Sequence, residues 1–93
     1  MKFLVINNVK DYTIATMSVV NMHRNAIKTS FVQNRLETRI WKYGKSPPSI
    51  VVESYSDKNS AIVGHQKWIA TIKTNHPEVL YDIRRHEWVH LPN

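Results

Sequence analysis

The chain has 93 residues, 42% of them hydrophobic, which is one-domain length with enough apolar material for one core. It contains no cysteine and only two glycines, Gly44 and Gly64, so disulfides, thiolate metal sites, cysteine nucleophiles and glycine-rich phosphate loops are all excluded. A net charge of +6 favours anionic partners, yet the only adjacent basic pair is Arg84-Arg85, and no basic run long enough for a nucleic-acid tail exists.

The opening Met1-Lys2-Phe3-Leu4-Val5-Ile6 imitates a signal peptide, but the apolar run stops at Asn7-Asn8 and Lys10-Asp11 follow, leaving an h-region too short for export. No stretch approaches the roughly 20 apolar residues of a membrane span. Lys2 to Val9 and Tyr12 to Met22 read as strands, the second rich in β-branched residues, with Lys10-Asp11 as the turn between them. Met22 to Ser30 has no clear period and reads as a loop or short helical turn, so residues 1–30 are expected to form edge strands or an extended arm of the single domain.

From Phe31 to Tyr43 the period sharpens. Leu36, Thr38 and Ile40 alternate with Arg35, Glu37, Arg39 and Trp41, the pattern of a strand with one buried and one wet face. Gly44-Lys45-Ser46-Pro47-Pro48 breaks it. A second strand over Ser49 to Ser56 places Ile50 and Val52 on one side and Val51, Glu53 and Tyr55 on the other, closing a hairpin. Asp57 or Ser56 then caps a helix in which Ala61, His65, Trp68, Ile69 and Ile72 recur at helical spacing. It ends near Thr74, because Asn75-His76-Pro77 pushes the backbone out of the α region. Gly64 in mid-helix costs about 1 kcal/mol against alanine and points to close packing on the sheet. Glu78 to Leu91 reads either as a second helix opened by Pro77 or, preferably, as an extended element with Tyr81, Ile83, Val89 and Leu91 on one face.

Three features invite a chemical reading. His86-Glu87-Trp88-Val89-His90 satisfies the zincin spacing, in which two histidines one helical turn apart hold zinc and the glutamate activates water. Such a site needs a helix and a third ligand, which would have to come from upstream, for example His65 or His76, and the competing reading is a polar, aromatic terminal strand. His65, on the apolar helix face, reads as a histidine hydrogen-bonded beneath the sheet. Arg35, Arg39, Trp41, Lys42 and Tyr43 interleave aromatic and basic side chains as a single-strand-binding sheet does; the competing reading has Trp41 and Tyr43 facing a neighbouring subunit or capping the core. Glu37 between Arg35 and Arg39, with Glu53 expected across the hairpin, would partly neutralise that strip.

Glu37-Thr38 near the start of one strand, Tyr55-Ser56 at the end of the next, and a helix carrying Ala61-x-x-Gly64-His65 followed by Trp68 form a pattern running from Leu36 to Lys73. In this pattern the chain resembles small uncharacterised proteins of tailed bacteriophages. The resemblance implies a phage or prophage source, a place in the virion or the host cytoplasm, and a virion component or small host-takeover protein. It carries no catalytic residues to transfer.

The expectation is therefore an α+β domain, an antiparallel sheet packed on one main helix over about Asp57 to Thr74. Its expected role is non-enzymatic, without cofactor, metal or membrane partner, acting through contacts with other copies of itself or other phage proteins in an oligomer or assembly. The rival is a basic nucleic-acid-binding or host-regulating protein, and a metal-dependent hydrolase built on His86-Glu87-x-x-His90 is a distant third.

Overall fold

The computed structural model describes residues 2–22, 32–45 and 48–92. Strands β1 (Lys2–Val9), β2 (Tyr12–Met22), β3 (Val32–Lys42) and β4 (Ile50–Tyr55) form a four-stranded antiparallel sheet in the order β1-β2-β3-β4. Helix α1 (Lys58–Asn75) packs across one face, and β5 (Val79–Asp82) and β6 (Glu87–His90) form a separate two-stranded antiparallel sheet. The architecture is α+β. The segment 23–31, which holds most of the expected loop or helical turn, lies outside the described residues.

Lys10-Asp11 turn β1 directly into β2, and the strands lie in the sheet in chain order. Lys10, at φ 56, occupies the left-handed position of the β1–β2 turn, and Gly44, at φ 74, does so after β3. Tyr43 N–H donates to Asp11 C=O at 2.7 Å and ties the two turns together.

Alternation on the strands selects the buried face. Val9, Tyr12, Ile14, Ile40, Ile50 and Val52 form one cluster with Ile72 of the helix and with Leu80 and Leu91, and Trp68, Ile69 and Val89 pack around it. Helix α1 starts at Asp57, whose carboxylate accepts Ser60 N–H at 2.8 Å, and stops where His76 turns left-handed at φ 46 and returns its N–H to Ile72 C=O. Ala61 and Ile72 are buried as their spacing predicts, while Trp68 and Ile69 are half-buried.

Three expectations need correction. Strands β3 and β4 shift register between Thr38↔Glu53 and Arg39↔Val51, so Val52 is an extra residue that reverses the alternation of β4. Glu53 and Tyr55 consequently share the helix side with Ile50, and Glu53 does not lie across from Arg35 and Arg39. Glu37, expected on a wet face, is 1% exposed. The tail is extended but folds as a hairpin rather than one strand: Leu80 pairs with Val89 on the core side and Tyr81 with Trp88 on the outside, so Tyr81 and Val89 face opposite ways. Its turn edges onto β4 through Ile83 N–H to Val51 C=O at 2.9 Å.

Candidate functional site

Side-chain polar groups meet beneath the helix in one continuous line. His65 is fully buried, with Nδ1 2.8 Å from Thr16 Oγ1 and Nε2 2.8 Å from Asn7 Oδ1. Thr16 Oγ1 lies 2.6 Å from Thr38 Oγ1, which lies 2.8 Å from the Tyr55 hydroxyl. Tyr55 donates to Glu53 at 3.1 Å, and the same carboxylate accepts the Trp68 indole N–H at 2.8 Å and pairs with Lys67 at 2.9 Å. The line crosses β1, β2, β3 and β4 and touches α1 at both ends. No buried side-chain polar atom among the described residues lacks a partner, which is what makes such a network tolerable in a core.

Gly64 explains how the helix comes so close. A Cβ there would overlap the Tyr55 ring, whose far edge lies on the glycine. Most residues of the pattern over Leu36 to Lys73 therefore converge: Thr38, Tyr55, His65 and Trp68 are members of the network, Gly64 admits the ring, and Ala61 is buried on the same helix face, while Glu37 lies on the other face of β3. Their spacing is accounted for as a helix-to-sheet joint.

The electrostatics of the line favour fixed charges. Burial pushes the His65 pKa down, so the ring is held neutral. Burial alone would raise Glu53, but hydrogen bonds from Lys67, Trp68 and Tyr55 and the Lys67 charge outweigh it and hold its carboxyl below the usual range. Burial beside that carboxylate pushes the Tyr55 phenol up to about 12. Between the acceptors Asn7 Oδ1 and ionised Glu53 the line has five links, and a neutral His65 with three hydroxyls supplies four protons. With the ring neutral, the fifth comes from an Asn7 carboxamide turned to present its nitrogen to Nε2.

The other candidates are scattered. Arg35, Arg39 and Trp41 share the helix-free face of β3 with Glu37, to which Arg39 Nε donates at 2.5 Å and Arg84 approaches at 3.5 Å. Lys42 points the other way, its ammonium 4.4 Å from the centroid of the buried Tyr12 ring, and Tyr43 stands exposed in the turn after β3. In the zincin-like run, His86 occupies a left-handed turn position at φ 57 and residues 87–90 are strand β6, so its histidines are not one helical turn apart. No three metal-ligating side chains come together among the described residues.

Sequence reasoning missed Asn7, Thr16 and Glu53 as partners of the helix, because the links to His65 and Trp68 span 58, 49 and 15 positions. It also missed Asp82, a buried carboxylate that accepts the N–H groups of Arg84 at 2.8 Å and Arg85 at 3.0 Å and so shapes the β5–β6 turn. An Asp two residues before a basic pair is a turn signal that could have found it. No helix among the described residues is long and apolar enough to cross a membrane. No family model, curated protein or solved structure matches the chain.

Proposed function

We propose that this chain is a small non-enzymatic bacteriophage protein that works through protein contacts, as a virion or assembly component present in several copies. The observation that carries the reading is a projecting ribbon. Strands β2 and β3 stay paired from Val19↔Arg35 to Met22↔Val32, four residue pairs beyond Ser18, the last partner of β1, and Leu36, the last partner of β4. At about 3.3 Å per residue the ribbon extends roughly 13 Å past the four-stranded body.

Among the described residues neither edge of the ribbon has a strand partner, and such edges are templates for pairing with another chain. The molecule measures 47 × 26 × 21 Å, elongated as a body with an arm. The resemblance over Leu36 to Lys73 supplies the phage source. The non-enzymatic reading is supported by the use of the core's ionisable groups as ties: His65 and Glu53 are spent joining helix to sheet.

Sedimentation equilibrium tests the proposal. Wild-type protein associates with rising concentration, and Val19→Lys, which places a charge on the ribbon, shifts it to monomer with an unchanged far-ultraviolet spectrum. A wild-type monomer persisting to roughly millimolar concentration, far above the dissociation constant of an assembly contact, overturns the reading.

A further inference from the structure

We infer that the helix-free face of the molecule is a binding site for single-stranded nucleic acid, centred on Trp88 and Tyr81 of the terminal hairpin and on the arginines beside them. It rests on a different observation from the ribbon contact proposed above, with Arg35 at the base of the ribbon the one residue the two share.

Leu80 belongs to the core, so its neighbour Tyr81 points away from it; Tyr81 is 38% exposed and its cross-strand partner Trp88 is 68% exposed. Their rings meet edge to face, centroids 5.2 Å apart at 68°. An edge-to-face pair holds the indole in one orientation and leaves aromatic surface bare to solvent, at a place where burying it inside this chain would have been favourable. Stacked bases use such a platform, and they do so without regard to base identity.

The hairpin face continues into the helix-free face of the large sheet through Ile83 N–H to Val51 C=O. At the join lies a groove of about 330 Å³ that includes Arg35, Val51, Ile83, Arg84 and His86, with the buried Glu37 among them. Arg39 and Trp41 extend the same face along β3. Against three arginines there is one carboxylate, Glu37, and it is sealed from solvent by Arg39 and Arg84. The bulge at Val52 matters here because it carries Glu53 to the helix side, leaving the strip cationic.

Asp82 fixes the backbone of the turn that carries Arg84 and Arg85. Its carboxylate takes the N–H groups of Arg84 and Arg85, and His86 N–H returns to Asp82 C=O at 2.9 Å, so the basic turn is set before any ligand arrives. Aromatic platforms beside preset cations match a chain of phosphates carrying flat bases. An acidic peptide would use the cations and leave the rings unused.

Fluorescence anisotropy with a labelled oligothymidylate of about 15 nucleotides tests the site, at low salt and at about 150 mM. Trp88→Ala is expected to weaken binding by about 10-fold or more, within the range set by loss of one stacked base. Arg35→Glu should weaken it and flatten the dependence on salt. Lys58→Glu makes the same charge reversal on the exposed start of α1, away from this face, and should stay within about 2-fold of wild type. Trp88 and Arg35 are both exposed, so circular dichroism should show the variants folded. The inference is overturned if wild type does not bind, if Trp88→Ala binds as wild type does, or if Lys58→Glu loses as much as Arg35→Glu. It is equally overturned if polyglutamate competes as well as the oligonucleotide, which would mark a site for acidic protein, or if Trp88→Ala changes only the sedimentation of the protein, which would mark a contact between copies.

Discussion

Replacing Gly64 by alanine separates the joint described above from ordinary helix propensity. On an isolated helix the change is favourable by about 1 kcal/mol. Here the new methyl meets the far edge of the Tyr55 ring. Tyr55 is only half-buried, so the ring can swing outward instead of straining the core. Swinging breaks its hydrogen bonds to Thr38 and Glu53. A neutral bond is worth about 1 kcal/mol and one to a charged group about 1.5–3, so about 2.5–4 kcal/mol is lost and about 1 regained. The net cost is about 1.5–3 kcal/mol. At roughly 4–8 °C per kcal/mol for a domain of this size, the melting temperature should fall by at least about 6 °C.

The decisive comparison is a double-mutant cycle followed by thermal or urea denaturation. With Tyr55→Ala already in place the ring that the methyl strikes is gone, and Gly64→Ala should then stabilise the protein by about 1 kcal/mol. The sign of the glycine substitution thus reverses between the two backgrounds. A Gly64→Ala that stabilises wild type, or costs the same in both, would refute the close approach of ring and helix.

Acid should weaken the protein in a step belonging to His65. Its folded pKa lies below the unfolded value of about 6.5, so the contribution is intact above that pH and is lost as pH falls through it to the folded pKa; His65→Asn should remove this step from a plot of urea midpoint against pH. Asp82→Ala frees the amides of Arg84 and Arg85 and leaves Val51 N–H without its 3.5 Å contact, a loss of about 2 kcal/mol readable as faster hydrogen exchange in the β5–β6 turn. Among single-tryptophan variants, iodide should quench Trp88 readily and Trp68 weakly, since Trp68 is half-buried with its N–H held by Glu53; equal quenching would contradict that placement.

Elements that rest on local chemistry are legible in the residues alone. The two N-terminal strands follow from β-branched alternation, and the helix ends follow from the Asp57 cap and the Asn75-His76-Pro77 stop. That Gly64 marks close packing and that His65 is hydrogen-bonded under the sheet were also legible, because a glycine in mid-helix and a histidine on an apolar face each require a compensating neighbour. What that neighbour was depended on distant residues. One extra residue, Val52, slipped the register of β4 and sent Glu53 and Tyr55 to the helix, and a side-chain period of two makes any such slip a change of face. Only the assembled fold shows that Thr16, Thr38, Tyr55 and Asn7 complete the line from His65, that Glu37 is buried between two arginines, and that Trp88 joins Tyr81 in the open. The links from His65 and from Arg84 to Glu37 are closed by packing between elements far apart in the chain, and local propensity carries no information about which distant strand will arrive.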